Sequence, residues 1–212
     1  KLNQEAAWNY GASFAFLIPI AQKMLKLNAE YYYTDFLSQT VIDYDTNPQE
    51  IHVTNLDGKS YSHTFQIDAS YPLFKGLELT AAYRYNLVKT TYGGRLMWKP
   101  LQSRYKGLLT ASYKTPLGLW QFDATLALNG GGRMPEPYTL ATGNLSWERN
   151  YKAYGQVNAQ ITRYFRNFSL YLGGENLTNF KQKNPIIGYQ NPWDNSFEPT
   201  MVYGPIQGAM AY

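Results

Sequence analysis

Apolar and polar residues alternate with a period of two along most of the chain. In residues 77–87 every odd position is apolar or aromatic, and the even positions carry polar or small residues. This pattern is typical of a β-strand with one apolar face. The same alternation predicts strands at residues 8–18, 25–33, 61–73, 105–113, 120–128, 151–161 and 168–172, and a short ninth strand near Ile206.

Charged residues support this division into two faces. Those in or beside the first eight predicted strands all occupy positions opposite the apolar face: Lys26, Glu30, Asp68, Glu78, Arg84, Lys106, Lys114, Asp123 and Lys152. Two-faced strands of about 9–11 residues are typical of membrane barrels, whereas strands of soluble sheets run to about 5–6 residues. The predicted fold class is therefore all-β, an antiparallel up-and-down transmembrane β-barrel with outer-membrane lipid against its apolar face.

The predicted connections alternate between short and long. Short ones fall at residues 19–24, 74–76, 116–118 and 162–167, and long ones at 34–60, 88–104, 129–150 and 179–205. Outer-membrane barrels have short periplasmic turns and long extracellular loops, so the pattern also orients the chain. Aromatic residues at strand ends predict interfacial girdles: Trp8, Tyr10, Tyr71, Tyr105, Tyr113, Trp120 and Tyr151.

Composition narrows the possible functions. Aromatic residues make up 17% of the 212 residues and charged residues only 16%, against about a quarter charged in soluble domains. Cys is absent and His occurs twice, which excludes thiolate chemistry and a Cys-rich metal site and gives little support to a zinc site. No cofactor is predicted. We find no nucleophile and base arrangement, so an enzyme is not predicted. The net charge of +4 includes no block of Lys and Arg, and no nucleic-acid partner is predicted.

An odd number of strands leaves an unpaired edge. In lipid such an edge exposes backbone donors and acceptors that no water can satisfy. We therefore expect residues 1–212 to be part of a larger transmembrane barrel.

Several segments resemble TonB-dependent outer-membrane receptors. Residues 171–180 (YLGGENLTNF) resemble the penultimate strand and its exit in that family, and residues 7–11 (AWNYG) resemble its strand-opening motif. Residues 100–107 and 129–135 are similar to members from the Bacteroidetes lineage. The resemblance covers essentially the whole chain.

The resemblance implies a barrel of roughly 22 strands closed by an N-terminal plug. It also implies energy supplied through TonB, ExbB and ExbD, and import of a scarce nutrient. The plug, its TonB box and about thirteen strands would lie outside this chain. On this resemblance, residues 1–212 would be the C-terminal portion of the barrel. The cargo stays open between iron chelate, haem, cobalamin and oligosaccharide, with a metal chelate or corrinoid favoured, and a surface lipoprotein partner is left open too.

Candidate functional residues fall into two groups. Ligand-binding candidates lie in the predicted long loops, because aromatic and Arg side chains dominate binding surfaces: Tyr92, Arg95, Met97, Trp98, Arg133, Met134, Tyr138, Tyr189, Trp193 and Asp194. The alternative for each is that it packs one loop on another. Residues predicted to face the lumen or the plug are Arg84, Lys106, Lys114, Asp123 and Lys152.

Two further alternatives stay open. Asp43, Asp45 and Asp57 are candidates for a loop-borne cation site, against a solvated acidic loop. A free-standing small barrel with a structural or adhesive role is the rival function. It would need an even number of strands and a complete closing strand.

Overall fold

The computed structural model describes residues 1–47, 50–140 and 143–212, and the regular structure of these residues consists of strands. The strands are β1 Ala6–Ile20, β2 Lys23–Ser38, β3 Thr40–Asp43, β4 His52–Asn55, β5 Ser60–Phe74, β6 Leu77–Tyr92, β7 Arg95–Trp98, β8 Tyr105–Lys114, β9 Trp120–Asn129, β10 Gly132–Arg133, β11 Asn150–Tyr151, β12 Tyr154–Tyr164, β13 Ser169–Glu175 and β14 Met210–Ala211. Among these residues no helix is long and apolar enough to cross a membrane.

Ten of the strands form one antiparallel sheet. Its order is β1-β2-β5-β6-β8-β9-β12-β13-β14, with β7 paired to β6. Except for the small hairpin strands, each strand pairs with the next along the chain, as in an up-and-down barrel wall. The sheet is open, and all fifteen residues of its edge strand β1 are exposed.

Register fixes which side chains share a face, because residues paired across antiparallel strands point to the same side. One row joins Ala12, Tyr31, Phe65, Tyr85 and Tyr105. We call this apolar side the outward face, and its large side chains are exposed. The neighbouring row on the opposite side, the inward face, joins Glu30, Gln66, Arg84, Lys106 and Asn129. The two predicted faces are confirmed.

The short connections are tight hairpin turns. Ala21 and Gln22 join β1 to β2 with positive φ angles of 45° and 64°, the geometry of the two-residue turns that match strand twist. Gly76 follows at the β5–β6 turn with a φ of 89°, and an added Cβ would lie 2.2 Å from the carbonyl oxygen of Lys114. Together these turns form one rim, the short-turn end, and the opposite rim is the long-loop end.

Three of the predicted long loops contain strands: residues 34–60 hold β3 and β4, residues 88–104 hold β7, and residues 129–150 hold β10. β2 continues to Ser38 and is followed by the hairpin β3–β4, and β6 continues to Tyr92 and pairs with β7. The predictions that Tyr92, Arg95, Met97 and Trp98 lie in one long loop and Arg133 in the next were therefore wrong, because all five belong to strands. The reason is that these strand extensions have no single apolar face, so the two-residue alternation that marks the rest of the sheet fades there.

The start of β12 and the ninth predicted strand also differ from expectation. Tyr151 belongs to the two-residue strand β11, and Lys152 lies between β11 and β12 rather than within a long strand. The last strand is only Met210–Ala211, paired with β13. Strand pairing with Gly132 takes Tyr151 out of the main sheet, which a one-strand pattern cannot anticipate.

Aromatic side chains gather at both ends of the outward face. Trp120 and Phe122 stack at the short-turn end with ring centroids 6.3 Å apart. At the long-loop end the ring centroids of His63 and Tyr33 lie 4.8 Å apart. A hydrogen bond of 2.8 Å joins Nδ1 of His63 to the hydroxyl of Tyr31. Tyr151 is the exception to the predicted girdles, because it is buried against Tyr203 with centroids 4.4 Å apart.

Candidate functional site

The long-loop end holds a junction built around Arg133. Its guanidinium donates two hydrogen bonds to the Asp45 carboxylate at 2.7 and 2.8 Å, and its Nε donates to the carbonyl oxygen of Trp98 at 2.8 Å. It also lies 5.8 Å from the ring centroid of Tyr92. Asp45 in turn accepts the backbone N–H of Glu136 at 2.8 Å. One side chain thus connects the segment after β3, the β6–β7 hairpin and the segment around β10.

The carboxylates beside this junction are already bonded within the protein. Asp43 accepts hydrogen bonds from the Thr46 hydroxyl at 2.6 Å and from the backbone N–H of Asp45 at 2.7 Å. Burial works to raise the pKa of Asp43, but these hydrogen bonds bring it below its ordinary value. No group of three or more His, Asp or Glu side chains suited to a metal ion occurs among residues 1–47, 50–140 and 143–212. Asp43, Asp45 and Asp57 therefore do not gather into a cation site.

A cavity of about 470 Å³ lies between the loop that joins β9 to β12 and the loop that joins β13 to β14. Tyr154 and Phe180 stack at 4.4 Å beside it, and Tyr154 belongs to the inward row of Lys106 and Asn129. The cavity therefore sits on the inward side of the sheet. Its lining residues are Met134, Ser146, Trp147, Glu148, Asn150, Tyr151, Lys152, Ala153, Phe180, Lys181, Gln182, Lys183, Asn184, Ile187, Met201 and Tyr203.

The floor of this cavity is apolar, and the charged side chains that line it are mostly cationic. Met201 is 1% exposed and packs with Met134 and Tyr151. Gln182 fixes the loop by donating to the carbonyl oxygen of Met201 and accepting the N–H of Tyr203, both at 2.8 Å. Three lysines line the cavity against one carboxylate: Lys152, Lys181, Lys183 and Glu148. An aromatic pocket with surplus positive charge suits a partly apolar anion.

The predicted ligand-binding residues divide by exposure. Trp193 is 95% and Tyr189 is 62% exposed. The carboxylate of Asp194 accepts the N–H of Ser196 at 2.8 Å, and hydrogen bonds from Ser196 lower its pKa. Arg95 is exposed at the tip of the β6–β7 hairpin.

The others pack inside the loop cluster. Burial raises the pKa of the Tyr92 hydroxyl, and Met134 belongs to the buried group under the cavity. Tyr138 packs edge-on to Trp147 at 5.5 Å and donates to the carbonyl oxygen of Ser196 at 3.3 Å. Burial raises the pKa of Tyr138 as well.

The inward face carries a ladder of polar contacts. Arg84 donates from Nε to the amide oxygen of Gln66 at 2.7 Å, and the Asp123 carboxylate accepts from Ser112 at 2.6 Å and Gln121 at 3.0 Å. The Lys114 ammonium lies 5.2 Å from the ring centroid of Tyr164. Lys106 is exposed beside Arg84 in the register. A polar inner wall of this kind is typical of a membrane barrel lumen.

Comparison with known proteins identifies the sheet. The family model described as TonB dependent receptor-like, beta-barrel matches residues 1–177. The chain belongs to this family. A search of curated protein sequences gives no match.

Several solved structures share this fold. The copper transporter OprC has a TM-score of 0.69 at 12% sequence identity, and the match covers 100% of this chain and 32% of OprC. The ferric-catecholate import receptor Fiu from E. coli has a TM-score of 0.63 at 13% sequence identity, and the match covers 99% of this chain and 27% of Fiu. The ferripyoverdine receptor from the outer membrane of Pseudomonas aeruginosa has a TM-score of 0.60 at 15% sequence identity. That match covers 99% of this chain and 27% of the receptor.

This chain thus spans about a third or less of the length of these proteins. The shared fold confirms a transmembrane β-barrel wall, of which this chain is one part. The similarity to the Bacteroidetes lineage stays a prediction.

The family-like motif at residues 176–179 has a structural role in this receptor barrel. Asn176 is 3% exposed with a φ of 50°, and its side-chain amide donates to the carbonyl oxygens of Phe180 at 2.8 Å and Gln207 at 3.1 Å. Its amide oxygen accepts the hydroxyl of Thr178 at 3.1 Å. Asn179 accepts the N–H of Ala209 at 3.1 Å. The motif therefore closes the exit of β13 and holds the segment leading to β14.

We expect the substitution Asn176→Ala to loosen this turn. It removes several buried hydrogen bonds and leaves their partners unsatisfied, at about 1–3 kcal/mol for each buried group. Thermal unfolding of the intact receptor and protease cleavage after β13 would report the loss. Asn184→Ala is the matched control, because Asn184 also has a left-handed φ of 49° but is exposed. Equal effects of the two substitutions would contradict this role.

The sequence analysis did not predict this cavity. Trp147, Phe180, Lys181, Lys183 and Tyr203 come from two loops that are joined only by tertiary contacts. The one available signal was the density of aromatic and basic residues in residues 147–154 and 180–203, which has no period to fix its geometry.

Proposed function

We propose that this chain is the C-terminal portion of the barrel of a TonB-dependent outer-membrane transporter. The transporter would capture a scarce nutrient at its extracellular loops and import it into the periplasm. One observation carries the proposal: the sheet has a continuous apolar outward face and a polar inward face, and the chain matches the receptor barrel family over residues 1–177. The short-turn end would face the periplasm and the long-loop end the exterior.

The unpaired edge of β1 supports further barrel strands in the same receptor. Fifteen exposed residues would leave their outer backbone groups without partners in lipid, at several kcal/mol for each group. A plug domain would fill the closed lumen and face Arg84, Lys106, Lys114 and Asp123. TonB, with ExbB and ExbD, would act on that plug.

The loop cavity is the part of the ligand site that this chain would supply. Its aromatic floor and its lysines suit a partly apolar, anionic cargo such as an iron chelate, haem or a corrinoid. Tyr189, Trp193, Asp194 and Arg95 are exposed around the loop cluster, and these side chains would make the first contacts with ligand. Arg133, Met134, Tyr138 and Tyr92 would then hold the shape of the site.

Growth and uptake assays test the proposal. A strain lacking the intact receptor should lose TonB-dependent use of one supplied nutrient, with ferric chelates, haem, cobalamin and oligosaccharides each tried as the limiting source. The double variant Lys181→Glu, Lys183→Glu should lower uptake by at least about tenfold at low ligand concentration, because like charge repels an approaching anion.

The matched control is Lys75→Glu at the short-turn end, which should leave uptake unchanged. Uptake that does not depend on TonB would contradict the proposal. A native polypeptide near 24.3 kDa that folds as a closed barrel would instead favour the small structural or adhesive barrel.

A further inference from the structure

A second, smaller recess lies in the inward face of the main sheet. Its volume is about 300 Å³, and most of its lining residues occupy inward positions of β5, β6, β8 and β9. The small side chains of Ala82 and Ala127 line it on either side of Leu108. Its polar lining residues are Gln66, Arg84, Lys106 and Asn129. The recess has room for one charged group and a few further atoms, because a water molecule takes up about 30 Å³.

Two positively charged residues line this recess at paired positions. Arg84 on β6 is paired with Lys106 on β8. Directly paired residues of antiparallel strands have Cα atoms about 4.5–5.5 Å apart, and like charges at such positions destabilise a sheet. An anion bound in the recess relieves that repulsion.

The carboxylates of the chain leave both charges unneutralised. Neither Arg84 nor Lys106 takes part in an ion pair within the part of the chain that the structure describes. Glu30 is in the same row, but it lies on β2, two strands from Arg84. The carboxylate of Asp68, in the next row, already accepts a hydrogen bond of 2.8 Å from a side chain of β2. The positive charge of the recess is therefore left for an external anion.

Hydrogen bonds orient the donors that face the recess. The amide oxygen of Gln66 accepts from Nε of Arg84 at 2.7 Å and from one of its terminal nitrogens, which fixes the plane of the guanidinium. A guanidinium has five N–H donors in a rigid fork, so Gln66 leaves three of them to other acceptors. Together with the Lys106 ammonium and the Asn129 amide, these donors suit the oxygens of a carboxylate or a phosphate.

The row that contains Lys106 leads directly to the loop cavity. Lys106 is paired with Asn129, and Asn129 is paired with Tyr154. Tyr154 stacks on Phe180, which lines the loop cavity, with centroids 4.4 Å apart. Two strand spacings of about 4.8 Å separate Lys106 from Tyr154, roughly 10 Å in all. A ligand in the loop cavity can therefore extend an arm into the recess.

We propose that Gln66, Arg84, Lys106 and Asn129 bind a carboxylate or phosphate group of a small molecule. The site deepens the function proposed above and rests on it for the source of this group. The loop cavity holds the body of the cargo, and the recess holds its anionic group as the cargo enters the lumen. Arg84 and Lys106 thereby favour anionic over neutral cargo.

The experiment uses the intact receptor with the substitution Ala127→Cys. This chain has no Cys, and Ala127 lines the recess one row from Asn129. The thiol is labelled with two methanethiosulfonates, one carrying a sulfonate and the other a trimethylammonium group. Each rate is divided by the rate for free cysteine, and the receptor without the substitution gives the background.

The sulfonate reagent should react at least about tenfold faster on this scale. Two unit charges acting over several ångströms in water produce an effect of that size. Millimolar inorganic phosphate, added at constant ionic strength, should slow labelling by the sulfonate reagent because it occupies the recess.

The double variant Arg84→Gln, Lys106→Gln should lose both the charge preference and the effect of phosphate. Lys26→Gln is the matched control, because Lys26 is also an exposed lysine on the inward face but lies on β2, away from the recess. It should keep both. Should the double variant fold poorly, Lys106→Gln alone serves in its place and should lower the preference about threefold, as expected for one of two charges.

Equal labelling by the two reagents would overturn the proposal, as would a preference that survives the double variant or that phosphate does not change. A thiol that neither reagent reaches would overturn it too, because the plug would then cover the recess. Labelling needs neither TonB nor a known cargo. Phosphate-sensitive labelling in a receptor that imports nothing would therefore contradict only the transport function, and import without a phosphate effect would contradict only the anion site.

Discussion

Replacing Ala124 with lysine should prevent the receptor from assembling into a folded barrel. Ala124 is paired with Ala111 and Ala159 in the middle of the outward face and is exposed there. A Lys or Arg at mid-depth on the lipid side costs about 2–4 kcal/mol. Leu126→Arg should act in the same way, because Leu126 lies on the same face between Leu109 and Val157.

The same substitution three residues along the strand is the control. Ala127 is paired with Leu108 and Gln156 on the inward face, where a lysine reaches the polar lumen. Ala127→Lys should therefore assemble. The measurement is the fraction of receptor in outer membranes that migrates as a heat-modifiable barrel, and similar fractions for Ala124→Lys and Ala127→Lys would show that the two faces are assigned the wrong way round.

Removing Arg133 should open the loop cluster. The Arg133 side chain is 14% and its Asp45 partner 7% exposed, so Arg133→Ala leaves a buried carboxylate whose one remaining side-chain partner among the described residues is the N–H of Glu136. Breaking a buried pair from one side costs about 3–5 kcal/mol. The loss should appear as faster hydrogen exchange and protease cleavage in the segment after β3 and in the β6–β7 hairpin, while the membrane strands stay protected.

A second ion pair supplies the control. Arg149 pairs with Glu136 at 3.0 Å, but both side chains are more than half exposed. Arg149→Ala should change loop protection by only about 0–1 kcal/mol. The double variant Arg133→Ala, Asp45→Ala should lose less than the sum of the single losses, because the charges are removed together. Strictly additive losses would indicate that the pair does not couple the two segments.

Tertiary contacts decided the role of each loop residue. Arg133 and Trp193 looked alike as candidates in the sequence, since both are large side chains in predicted long loops. Arg133 is held by Asp45, which lies far away in the sequence, whereas Trp193 is 95% exposed. No local pattern separates them, because burial in a loop cluster depends on which other loops fold against it.

The membrane wall was determined by the sequence itself. Each spanning strand meets lipid on one side and the lumen on the other, so the requirement for an apolar side chain repeats every second residue. This alternation can be recognised within a single strand. It predicted that Arg84, Lys106, Lys114 and Asp123 face the lumen, and the register puts all four on one face of the sheet. The tight turns were equally local, because each depends on only a few residues such as Gly76.

Beyond the apolar band that constraint disappears. The extensions of β2 and β6, the placement of Tyr151 against Tyr203, and the cavity with Lys181 and Lys183 were settled only in the folded chain. Each of these brings together segments far apart in sequence, where packing and charge pairing act between loops rather than along a strand. The sequence by itself therefore determined the two-faced sheet, and the tertiary structure decided the chemistry at its long-loop end.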